Sequence, residues 1–155
     1  MKIIAMQGAA NKGKTSTIRN AYERFKTRGR IDLFQPIGND LEAIITMPDN
    51  KKIGFYSQGD WPENTLHNIE TAEKWECDIL VTAVRTKGGT VDVINKYCFQ
   101  NTNNEVLLLG VIDMWTDSNP ASAVYDNISG NNSASISAIS AQHLLNVIEY
   151  VMQLI

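Results

Sequence analysis

At 155 residues, with 43% hydrophobic and 20% charged residues, the chain has the length and balance of one soluble globular domain and leaves little room for a second core, so 1–155 is read as a single domain. Its net charge of -3 lacks the basic excess of a duplex-binding protein, which argues against general nucleic-acid affinity. The two cysteines, Cys77 and Cys98, have no Cys or His at metal-ligand spacing, so a zinc site is not expected and both read as reduced fillers.

In chain order, Lys2–Gln7 is a short apolar run stopped by Gly8 and predicts a buried first strand. It is too short for a signal peptide or a membrane span, so a cytoplasmic protein without a membrane partner is expected. The sequons at Asn127 and Asn131 are then chance. Thr15–Arg28 has helical period, with Ile18, Ala21, Tyr22 and Phe25 on one face and Gly29 at the stop. Leu41–Met47 and Lys52–Ser57 are strand-like runs joined by Pro48-Asp49-Asn50-Lys51, which predicts a hairpin. Pro62 opens a second helix with Leu66, Ile69, Ala72 and Trp75 inward. Asp78–Val84 predicts a buried strand. The helix after Gly88-Gly89 turns Val91, Ile94 and Cys98 inward. Glu105–Ile112, with Val106-Leu107-Leu108-Leu109, predicts another buried strand. Residues 116–132 read as a polar loop. A last helix from Ser133 carries Ile136, Ile139, Leu144, Val147, Ile148 and Val151 as its apolar stripe. Strands alternate with helices apart from the hairpin, so the expected fold is α/β, a mostly parallel sheet with helices on both faces.

Gly8-Ala9-Ala10-Asn11-Lys12-Gly13-Lys14-Thr15 fits G-x-x-x-x-G-K-[ST] at every position. Chance supplies that pattern in only about 0.5% of chains this long, taking glycine at roughly 7% of residues. The segment also follows a predicted strand and opens a predicted helix, as the pattern requires. It resembles the Walker A loop of P-loop NTPases. That resemblance implies the three-layer α/β/α P-loop fold, mostly parallel with one antiparallel hairpin, and Mg²⁺-dependent binding of a nucleoside triphosphate. Gly8 and Gly13 relieve the backbone and allow close approach of phosphates. The amides of Asn11 to Thr15 form an anion nest at a helix N-terminus. Lys14 reaches the β- and γ-phosphates, Thr15 gives its hydroxyl to Mg²⁺, and Ser16 lies near the α-phosphate. Lys12 belongs to the loop, with its side chain expected in solvent beside it.

Ligands of open α/β sheets sit at the carboxyl ends of the strands. Asp60, following Gln58-Gly59 at one such end, is therefore expected to serve the metal and the chemistry, or else to cap the helix at Pro62. The hairpin followed by Gly-Asp is somewhat similar to the switch region of GTPase-like folds. Gln58 either orients a water or simply ends the strand. Asp78 lies at the wrong end. Arg85 and Lys87 lie at the correct end and could neutralise charge on a transferred phosphoryl group, or else be solvated. Gly88-Gly89 offers a second anion site for an acceptor. Asp113 falls where a base or sugar is often met, and Trp115 either stacks on a base or packs. The guanine-reading N-K-x-D pattern is absent, so ATP is the default triphosphate by abundance. His67 and His143 read as packed or solvated.

Three functions fit. The first is ATP binding and hydrolysis, with Lys14, Asp60 and Arg85 catalytic and Thr15 and Asp60 on the metal. The second is a kinase passing the γ-phosphoryl group to a small-molecule acceptor. The third is a nucleotide-switched module acting on a protein partner.

Overall fold

The computed structural model describes residues 1–8, 13–100, 105–110 and 139–155. Six strands form one sheet: β1 (Lys2–Gln7), β2 (Arg30–Ile37), β3 (Asp40–Thr46), β4 (Lys52–Tyr56), β5 (Ile79–Val84) and β6 (Glu105–Gly110). Their order across the sheet is β2-β3-β4-β5-β1-β6. The pairs β1–β5, β1–β6 and β4–β5 are parallel, whereas β2–β3 and β3–β4 are antiparallel. Among the described strands only β3 runs against the rest. The chain is thus α/β with a mixed, mostly co-directional sheet.

Helices α1 (Lys14–Phe25), α2 (Pro62–Lys74) and α3 (Gly89–Gln100), with a last helix α4 described over 139–153, cover both faces. On one face Ile18, Ala21, Tyr22 and Phe25 of α1 and Leu144, Leu145 and Ile148 of α4 pack on Ile4, Met6, Phe55 and Val81. On the other, Ile69 and Ala72 of α2 and Ile94 of α3 pack on Ile3, Tyr56 and Leu80. Each fully buried large side chain here stabilises by about 1.5–3 kcal/mol, enough for the amphipathic stripe to set helix orientation. Among the described residues no helix is long and apolar enough to cross a membrane.

Several expectations need correcting. β2 is a strand that propensity hides. Its Pro36 and polar residues suit an edge, where proline's missing N–H faces no partner. A register shift between Ile31 and Leu33 bends it, and Phe34 stacks on Tyr22 of α1 with ring centroids 5.4 Å apart. The expected single hairpin is therefore a three-strand meander. β6 is paired only with β1 among the described strands and is not buried, since Leu107 is 43% exposed. Leu66 of α2 faces outward, 47% exposed, because Thr65, Asn68, Ile69 and Ala72 form the inward stripe. Val91 is only half-buried, and Val93 takes its place against the core beside Ile94 and Cys98. Ile139 is also exposed, with Ala141 and Leu145 buried instead. The expected loop 116–132, the helix start at Ser133 and Ile136 lie outside the described residues. Cys77 is buried, which pushes its thiol up to about 12 and leaves it a protonated filler.

Candidate functional site

β1 delivers Gly8 to the carboxyl end of the sheet, where its N–H donates to the Val84 carbonyl of β5 at 3.1 Å. The chain then enters α1 through Gly13, whose φ of 85° and ψ of 13° are left-handed. That conformation is costly for a side chain bearing Cβ, about 1–2 kcal/mol, which explains the second glycine of the motif. No side chain caps the helix, so Gly13 leaves the N-terminal amides uncovered by a capping oxygen. Lys14 is buried, and its Nζ donates to the Gly8 carbonyl at 2.9 Å. The ammonium thus closes the ends of the loop against each other. Burial lowers its pKa most; Asp60 opposes that, Arg85 adds to it, and Asp40 opposes it. Asn11 and Lys12 lie outside the described residues, as do Asp113 and Trp115.

A cleft of about 800 Å³ opens beside the loop. One wall is Gly13, Lys14, Thr15 and Ser16. Asp40, Ser57, Gln58, Asp60, Trp61 and Asn64 also line the cleft. The structure thus brings together Lys14, Thr15, Ser16, Gln58 and Asp60 from the expected set.

Asp60 is the counter-ion of two cations. Its Oδ1 lies 3.0 Å from Arg85 Nε and 3.9 Å from Lys14 Nζ. The capping alternative is not what the geometry holds: Trp61 is the N-cap of α2, and no side chain caps that helix. Arg85 is held from behind, its N–H donating to Thr90 Oγ1 at 3.0 Å. Gln58 is fixed through its main chain, since Asn68 Nδ2 donates to its carbonyl at 2.7 Å and to Thr82 Oγ1 at 2.9 Å. Gly59 sits tight on β5, where a Cβ would lie 1.8 Å from the Ala83 carbonyl oxygen. Gly88 is left-handed at φ 92°, but Gly89 presses on Pro62, with a Cβ there only 2.6 Å from Pro62 Cγ. The Gly88-Gly89 turn serves helix packing and, with Lys87, is not among the cleft-lining residues described.

Asp40 is the residue that strand-end reasoning missed. It begins β3, and because β3 alone runs backwards its beginning lies at the carboxyl end of its neighbours. Thr15 Oγ1 donates to Asp40 Oδ1 at 2.9 Å, and Ser57 Oγ donates to the same oxygen at 2.8 Å. Leu41 N–H donates to Ser57 Oγ at 3.0 Å, and Ser57 N–H to the Leu41 carbonyl at 3.0 Å, locking the two strands at this point. Two hydroxyls on Oδ1 leave Oδ2 without a hydrogen bond to a described residue. Thr15, Asp40 and Ser57 are all hard oxygen donors, the chemistry a divalent magnesium ion takes. Among the described residues no group of three or more His, Cys, Asp or Glu could hold a metal by themselves. A protein-only metal cage is therefore not built here, whereas a site completed by phosphate oxygens would fit. The signal that could have found Asp40 was the predicted hairpin, which places the start of Leu41–Met47 beside the end of Lys52–Ser57.

His67 lies away from the cleft lining, its Nε2 3.0 Å from Glu42 Oε1, and is a paired, partly solvated histidine. No protein-family description, curated protein or solved structure matches the chain.

Proposed function

We propose that the chain binds a Mg²⁺–nucleoside triphosphate, ATP first, at Gly8–Thr15 and hydrolyses it as a small P-loop NTPase. One observation carries the reading: a buried lysine ammonium stands at an uncapped helix N-terminus, reached through a left-handed glycine, at the floor of a polar cleft. A helix N-terminus and an ammonium side by side favour an anion between them, and a polyphosphate is the ligand that suits both.

The residues then divide the work. Lys14 and the loop amides bind the β- and γ-phosphates. Thr15 and Asp40 would hold Mg²⁺, with Asp60 as the acid facing the reacting end. When bound, the ion supplies charge neutralisation on the phosphate oxygens. Water oxygen bonds to the γ-phosphorus as the bond to the β–γ bridging oxygen breaks, leaving that electron pair on the diphosphate. The water's proton passes to the Asp60 carboxylate. Arg85, released from Asp60, offsets the charge that develops on the transferred group. A small-molecule acceptor in place of water would make the same site a kinase.

The test is calorimetry with Lys14→Ala. Losing two charge-assisted hydrogen bonds should weaken Mg²⁺–ATP about a hundredfold. Unchanged affinity would sink the assignment.

A further inference from the structure

Next to Asp60 the cleft is also lined by Trp61 and Asn64. Trp61 stands there with 67% of its surface exposed. Its backbone is nevertheless fixed. Its carbonyl accepts from Thr65 N–H at 3.2 Å and Thr65 Oγ1 at 3.4 Å, and Pro62 follows it. An indole held on a rigid mount and left in water keeps an apolar plane uncovered, at about 25 cal/mol per Å² of unburied surface.

Beside it, Asn64 Nδ2 donates to Gln58 Oε1 at 3.2 Å. That bond orients both amides and uses one donor and one acceptor. Asn64 Oδ1 and Gln58 Nε2 make no hydrogen bond with a described residue, so an acceptor and a donor remain next to each other. A flat π surface flanked by such a pair complements a nucleobase, which has a stacking face and an edge carrying both donors and acceptors. The carboxylates of Asp40 and Asp60 in the same cleft favour a neutral ring over an anionic one. The volume of about 800 Å³ leaves space for such a ring beyond the phosphates.

The geometry points to a nucleobase subsite in the cleft, with the ring stacked on Trp61 and its edge hydrogen-bonded to Asn64 and Gln58. This rests on the phosphate-loop reading for what lies beside it. The base is either that of the bound triphosphate or that of a second nucleoside set against the γ-phosphate.

Calorimetry on the full chain with Mg²⁺ separates these. The probes are tripolyphosphate, which has no base, then ATP, and then adenosine, guanosine and cytidine titrated into protein with and without tripolyphosphate. Each is measured on the wild type, Trp61→Ala and Trp61→Phe, with circular dichroism to verify folding. If the base belongs to the triphosphate, ATP binds about tenfold or more tighter than tripolyphosphate, Trp61→Ala removes the difference, and Trp61→Phe keeps most of it. If it belongs to a second molecule, a nucleoside binds and Trp61→Ala weakens it by about the same factor. The inference is overturned if ATP and tripolyphosphate bind alike and no nucleoside binds, or if Trp61→Ala changes neither. Should tripolyphosphate and ATP both fail to bind, the phosphate-loop reading falls, while the nucleoside titrations still decide the subsite.

Discussion

Two carboxylates flank the cleft, and their hydrogen bonds give them different work. Asp40 faces hydroxyls and Asp60 faces cations. Asp40→Asn should therefore raise the Mg²⁺ concentration needed for triphosphate binding about tenfold, through loss of one ligand charge. Asp60→Asn should instead remove a counter-charge from Arg85 and Lys14, leaving Mg²⁺ dependence in place while turnover drops. A magnesium titration of both variants decides; if only the second shifts it, Asp60 is the metal acid. Lys14 gives a second prediction at this scale. Its folded pKa lies below the ordinary 10.5, chiefly through burial, so the fold carries a penalty at neutral pH that disappears as pH rises toward 10.5. A bound polyphosphate favours the charged form. Binding should then take up a proton between the lowered value and 10.5, and affinity should fall as pH rises through that window. Calorimetry in two buffers of different ionisation enthalpy measures the uptake; none in the alkaline window would mean Lys14 does not meet the phosphates. The strand-to-helix turn at Gly13 was legible because a left-handed backbone calls for glycine. Asp40 was not, because strand-end placement assumes strands that all run one way.

The turn Gln58–Asp60 is clamped rather than poised to move. Asn68 holds it from below, and Gly59 leaves no space for a side chain against Ala83. A switch segment has to change position with the ligand, so this packing weighs against the nucleotide-switched module. Gly59→Ala should force the turn off β5 and cost more than about 2 kcal/mol in a urea melt, as overpacking does. Turnover should fall as well, since Asp60 moves with the turn. A stability change under about 0.5 kcal/mol would show that the turn yields easily and reopen the switch reading. The bounds of β1 followed from its apolar run, whereas α1 ends at Phe25 rather than Arg28, because its apolar stripe stops at Phe25 and Lys26 caps it. β2 was invisible because Arg30, Asp32, Gln35 and Pro36 dilute its apolar residues, and an edge strand needs no continuous run. β6 misled in the opposite direction, since four apolar residues in a row look buried whether or not a neighbour covers them.

For the whole molecule, alternation of strand and helix was enough to predict an α/β sheet covered on both faces. It did not specify which strands would lie beside β1. That depends on crossovers whose length and packing have no local signature, and here they put β5 and β6 on either side of the loop strand. The pairing of Asn64 with Gln58 was equally hidden, since periodicity says nothing of side-chain bonds between a helix and the turn before it. The single reversed strand has a further consequence. Gly8 and Lys14 hang from the middle of the sheet, while Asp40 starts a strand next to the rim. Fraying at β2 would loosen Asp40 well before it disturbed Lys14. The Asp40 side should therefore loosen first under stress and, if the cleft binds Mg²⁺–triphosphate as proposed, metal dependence should change before phosphate affinity does.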